Sequence, residues 1–130
     1  MQLSFTAKEF RNLLDMVYIG NWVLNSTRGD DRFKEYDDLE SRLFSMVPQL
    51  NETWNGEIVP SREYMEGGIH DVISLYEDNV FFDILAEKLA WRDMNYPQVT
   101  DENTDEIESR ADSYMEEFEE YGLDRLQIQE

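Results

Sequence analysis

The feature that most constrains this 130-residue chain is the spacing of its apolar residues, which recur every three or four positions along most of its length. That period is the turn of an α-helix, not the alternation of a half-buried strand. Phe10, Leu13, Leu14, Val17, Tyr18, Trp22 and Leu24 follow it and predict a helix over about 7–26. Thr6 and Glu9 have the spacing of a capping box, and Phe5 and Phe10 that of a hydrophobic staple. Gly20 sits inside this helix, where a close crossing by another helix would explain it. Phe33, Tyr36, Leu39, Leu43 and Val47 predict a second helix over about 31–46, closed by Pro48.

The stretch from 48 to 60 is the least helical. Asn55-Gly56 signals a turn, Glu57-Ile58-Val59 a short extended piece, and Ser61 a cap for a short helix reaching Glu66. Gly67-Gly68 breaks or hinges the chain. Beyond it Ile69, Val72, Ile73, Tyr76, Val80, Phe81, Ile84, Leu85 and Leu89 predict the most apolar and therefore central helix, over about 69–94. A last helix, capped by Thr100 or Thr104 and ended by Gly122, turns Ile107, Ala111, Tyr114, Met115 and Phe118 inward. The expected fold is all-α: one domain over 1–130, with four helices in an up-down bundle or a related helical fold. A minor two-stranded terminal pairing of Leu126-Gln127-Ile128 with Gln2-Leu3-Ser4-Phe5 is expected beside it. Phe10, Leu13, Leu14, Val17, Leu39, Leu43, Val72, Ile73, Val80, Ile84, Met115 and Phe118 are the expected core.

Charge narrows the classes of partner. Thirty acidic and 11 basic residues give a net charge of -19, and residues 100–130 hold 12 acids against 2 bases. Such a field repels nucleic-acid phosphates and anionic lipid, so direct binding to nucleic acid or membrane is not expected, whereas a basic protein surface is attracted. The absence of cysteine excludes a disulfide framework, a thiolate zinc site and a cysteine nucleophile. No basic stretch followed by an apolar run opens the chain, and no window has the length to span a bilayer, so a cytoplasmic location is expected. The glycosylation-type triplets at Asn25 and Asn51 then carry no meaning.

Several motifs approach a chemistry without completing it. Glu66 and His70 stand four apart, but Gly67-Gly68 lies between them and His70 is the only histidine. Asp101, Asn103 and Asp105 take positions 1, 3 and 5 of a calcium loop, yet Glu106 replaces the glycine and Asp112 the bidentate glutamate. Glu116-Glu117-Phe118-Glu119-Glu120 resembles the E-E-x-x-E half of the magnesium motif of all-helical nucleotide pyrophosphatases. The second acidic pair, E-x-x-D on a following helix, is missing after Glu120; Glu35 and Asp38 have that spacing but lie upstream. No G-x-S-x-G and no phosphate-cradling glycine loop is present.

The sequence therefore points to a non-enzymatic protein–protein interaction module without a cofactor or resident metal. The candidate partner-binding residues are Glu35 and Asp38 on the outward side of the second helix, Glu116, Glu117 and Glu120 on the last, and Trp54. Trp54 either folds back over the helices or stands out as an anchor. The alternative is a divalent-metal-dependent hydrolase of helical-bundle type.

Overall fold

A computed structural model describes residues 1–129. It is mainly helical, with α1 Ala7–Asn25, α2 Lys34–Phe44, a two-stranded hairpin of β1 Asn51–Trp54 and β2 Glu57–Pro60, a single turn α3 Arg62–Tyr64, and the long helices α4 His70–Asp93 and α5 Thr104–Tyr121. The four main helices are as the apolar spacing predicts. The strand pairing is not: it lies in the middle of the chain, and neither Gln2–Phe5 nor Leu126–Ile128 forms a strand. Short terminal segments without a turn between them have no local device that brings them together, whereas Asn55-Gly56 closes a hairpin by itself. The chain divides into two compact units, Met1–Ile73 and Ser74–Glu130, with the boundary one turn into α4.

In the first unit, α1 begins as its sequence dictates. The Thr6 hydroxyl accepts from the Glu9 amide at 3.1 Å, and the Glu9 carboxylate accepts from the Thr6 amide at 2.9 Å. Leu14 and Tyr18 face inward and meet Phe44, Tyr64 and Ile73 in one core, with Phe10, Leu43 and Val47 packed at its edge. Tyr64 makes edge contacts with both Tyr18 and Phe44, at 5.4 and 5.0 Å between ring centres. Gly20 meets nothing within 4 Å of where a Cβ would stand, so no close crossing accounts for it. The inward face of α2 is the expected one at Leu43, and at Val47 just beyond the helix, but not at Leu39. Leu39 is 47% exposed while Phe44 is fully buried, because the side turned to α1 is the one carrying Asp37, Glu40 and Phe44.

After α2, Pro48–Leu50 forms one 3-10 turn. Asn51 then donates to the carbonyls of Phe44 and Val47 at 2.8 and 3.1 Å, fixing the start of β1 to the end of α2. Asn55 and Gly56 both take positive φ, 51° and 78°, as a two-residue type I′ turn requires. Trp54 pairs with Glu57 and Thr53 with Ile58 across the antiparallel ladder. Ser61 caps α3 by accepting from the Tyr64 amide at 3.1 Å. A π-helical turn, Met65–Ile69, follows, and its bend is taken up by Gly68 at φ 113°, a conformation open to glycine.

In the second unit, α4 and α5 share a core of Ala86, Ala90, Ala111 and Phe118, flanked by Phe82, Leu85, Leu89, Ile107, Tyr114 and Met115. The inward stripe expected for α5 is thus present. Neither Thr100 nor Thr104 caps it: Thr104 is its first residue, and the Asn103 side chain instead ties the Thr100 amide to the Gln98 carbonyl. Much of the apolar stripe of α4 is exposed. Val72 is 55% and Ile84 47% exposed, and Leu75, Tyr76 and Phe81 are exposed as well. Its stripe is broader than the strip that α5 covers, and the contact is made through alanines. No helix among the described residues is long and apolar enough to cross a membrane.

Candidate functional site

The site grows out of a polar stripe on α1. Leu14, Tyr18, Asn21 and Asn25 are spaced by four, three and four, so they share the inward face, and all four are buried. Two asparagines there must find partners or destabilise the fold. The Asn25 carbonyl oxygen accepts from the Phe33 amide at 2.8 Å, and its amide group donates to the Phe33 carbonyl at 3.1 Å and to Asn21 at 2.8 Å. Asn21 donates in turn to Asp37 at 3.0 Å. Arg32 closes the arrangement from the α1–α2 loop, with two of its nitrogens each 2.8 Å from a different Asp37 oxygen. The Arg32 hydrogen bonds hold the Asp37 carboxyl below its ordinary value, against a smaller opposing effect of burial.

Glu40 lies one turn beyond Asp37 and has no such cation of its own. Burial, assisted by the nearby Asp37 charge, raises its carboxyl from 4.5 to about 7, while the Asn21 amide and Arg32 pull the other way. Glu40 is therefore a proton-exchanging group near neutrality. Burial and then Glu40 also push the Tyr18 phenol up. On its other side the Tyr18 hydroxyl lies 2.6 Å from Nε2 of His70, whose ring stands edge-on to Trp22 with centres 4.7 Å apart.

The β-hairpin folds beside this network and leaves a cleft. Two adjoining cavities, of about 520 and 820 Å³, share Arg32, Glu40, Trp54 and Val59 in their walls. Tyr18, Asn21 and Trp22 line the first; Asp38, Arg42 and Glu57 line the second. Trp54 is 66% exposed. It does not fold back over the helices but stands as the free aromatic surface of the cleft.

Of the residues named from sequence, Asp38 and Trp54 come together at this cleft. Asp38 also pairs with Lys34 at 2.9 Å. Glu35 is exposed in the first turn of α2 and is not part of the cleft wall. Glu116, Glu117 and Glu120 belong to the other unit, on α5. Glu116 and Glu120 are exposed, and Glu117 is half-buried and paired with Arg125 at 3.1 Å. Among the described residues, no group of three His, Asp or Glu side chains comes together to hold a metal ion. Glu66, His70 and Asp71 border one shallow cavity of about 460 Å³ without forming such a group.

The residues that sequence reading missed are Asn21, Arg32, Asp37 and Glu40. One signal was available: two asparagines on the apolar stripe of α1. The triplets at Asn25 and Asn51 have a structural meaning instead, since both amides are consumed in fixing α1, α2 and β1. The cleft wall combines the carboxylates of Asp37, Asp38, Glu40, Glu52 and Glu57 and the Trp54 indole with the guanidinium groups of Arg32, Arg42 and Arg62. No protein-family model, no curated protein and no solved structure matches this chain.

Proposed function

We propose that this chain is a non-enzymatic protein-interaction module that receives a basic segment of a protein partner in the cleft between α2 and the β-hairpin. The observation that carries this reading is Trp54, an exposed aromatic lining the same cleft as Asp38, Glu40 and Glu57. An indole face beside carboxylates suits an arginine or lysine side chain, which gains cation–π and charge attraction together. The net charge of -19 supports it by steering basic partners toward the chain. In this reading Asp38 and Trp54 are direct contacts, while Glu35, Glu116, Glu117 and Glu120 contribute to the long-range field.

The test is titration of the full chain with a peptide of alternating arginine and glycine, followed by tryptophan emission and calorimetry. Binding should weaken steeply with sodium chloride. Trp54→Ala should weaken it at least about tenfold, equivalent to about 1.4 kcal/mol. Asp38→Lys should do so in the same direction. Equal affinity of the Trp54→Ala protein would refute the assignment. Tight binding of magnesium or manganese ions, with hydrolysis of a phosphate ester, would instead favour the metal-dependent hydrolase.

A further inference from the structure

The unit Ser74–Glu130 carries a second surface, separate from the Trp54 cleft. Between α4 and α5 runs a groove of about 550 Å³. Its floor is made by Ala86 and Ala111, both buried, with Ile107 and Met115 half-buried beside them. Alanines at the contact let the two backbones approach and leave a depression where larger side chains would stand proud. Trp91 and Val99 border it and are exposed. The Trp91 indole nitrogen donates to the Pro97 carbonyl at 2.7 Å, which holds the ring in place.

The walls are charged in one sense. Asp83 and Glu87 stand four apart on α4, and Glu108 and Asp112 four apart on α5, so each wall presents a row of carboxylates along the groove. All four are exposed, and among the described residues none of them is in a salt bridge. Lys88 is the one cation in the lining. An apolar floor between two unpaired acidic rows is complementary to a helix with an apolar stripe flanked by basic residues. Ile107 to Met115 spans about 12 Å at 1.5 Å per residue, the separation of anchors at i, i+4 and i+8 on such a helix. A second copy of this chain is a poor occupant, because the unit has 17 acidic and 4 basic residues and like charges would face each other.

We infer that the α4–α5 groove is a docking site for a basic amphipathic helix of a protein partner, bound by its apolar face on Ile107, Met115, Trp91 and Val99 above the buried alanines and by its cations on Asp83, Glu87, Glu108 and Asp112. This stands independently of the Trp54 cleft, and Trp54→Ala should leave it unchanged.

The probe is a synthetic peptide of leucine and lysine whose leucines share one helix face, titrated into the full-length chain. A peptide of the same composition, with the leucines scattered around the helix, is the control for charge alone. The amphipathic peptide should bind at least about tenfold more tightly than the scattered one, a difference of about 1.4 kcal/mol. Its amide shifts should cluster in 83–91 and 107–115. The triple variant Glu87→Lys, Glu108→Lys, Asp112→Lys changes exposed residues only and should weaken binding by a similar factor. Equal binding of the two peptides would overturn the inference, as would unchanged binding by the triple variant or shifts confined to 1–73. A dimer of the free chain that buries the groove, detected by sedimentation, would also overturn it.

Discussion

Replacing Glu40 by glutamine isolates the energetic cost of the carboxylate in the cleft wall. Glutamine keeps the size and the hydrogen-bonding capacity toward Asn21 but cannot ionise. In the native protein the Glu40 carboxyl is raised from 4.5 to about 7, with burial the leading cause. A carboxyl raised on folding binds its proton more tightly in the folded state. Its contribution is therefore fully present below pH 4.5 and is lost as the pH climbs through 7. At about 1.4 kcal/mol per unit the ceiling is about 3 kcal/mol, and access of water to a half-buried group reduces it to about 1–2 kcal/mol. The Glu40→Gln protein should thus be more stable than wild type by that amount at pH 8 and equal to it at pH 4.5. Urea unfolding of both proteins across this range measures the difference. The repulsion among the other carboxylates and the Arg32–Asp37 pair are present in both proteins, so the difference reports the burial of Glu40 and its repulsion with Asp37. A carbon-detected titration of the Glu40 carboxyl checks the origin directly. A midpoint near 4.5, or a stability difference that does not change with pH, would refute the reasoning.

Asn25→Ala should cost about 2–4 kcal/mol in urea unfolding, because it strands the Phe33 amide and carbonyl and frees Asn21 in a buried site. Gly20→Ala should stabilise by about 0.5–1 kcal/mol, since a Cβ there meets open space inside a helix; a loss would indicate an unseen close contact. Sodium chloride should raise the melting temperature by screening repulsion at net charge -19, with no extra effect of magnesium or calcium at matched ionic strength.

What was legible in the sequence is what is decided locally. The Thr6 and Glu9 box, the Ser61 cap and the Asn55-Gly56 turn each depend on residues within three positions, and each appears as read. Strand β1 was not legible, because Asn51-Glu52-Thr53-Trp54 has no apolar alternation. It is a strand only by virtue of the turn that follows and the Asn51 bonds to the end of α2. On α2 the expected Leu43 packs on the core, but Leu39 does not, because the inward face also carries Asp37 and Glu40, and a rule that turns apolar residues inward passes over them. That face becomes tolerable only when Asn21, Asn25 and Arg32 are in place, which is tertiary information. The breadth of apolar residues on α4 misled in the opposite way. Periodicity counts residues suited to burial, but how many are buried depends on how many neighbours the helix has. The cleft itself joins Arg32, Glu40 and Trp54 from a loop, a helix and a strand, and no spacing along the chain announces that junction.

The same Glu40 proton ties stability to the proposed binding. With a midpoint of about 7, Glu40 is largely protonated at pH 6 and largely ionised at pH 8 in the free protein. A guanidinium entering the cleft favours the ionised form and so lowers that midpoint. Arg32 already favours the ionised form, but two of its nitrogens are committed to Asp37 and burial outweighs its effect on Glu40. Arginine in the partner keeps its charge throughout this range, so the change in affinity belongs to the protein. If the bound state returns Glu40 to the ordinary carboxylate range, the affinity for the arginine–glycine peptide should rise about tenfold between pH 6 and pH 8. Nearly one proton should be released per peptide bound at pH 6 and few at pH 8. Calorimetry in buffers of different ionisation enthalpy counts those protons. In the Glu40→Gln protein the affinity should be lower at pH 8 and flat with pH, because the group that couples proton to ligand is gone. If wild type and variant show the same pH profile, the cation does not sit beside Glu40, and the binding site must be sought elsewhere on the acidic surface.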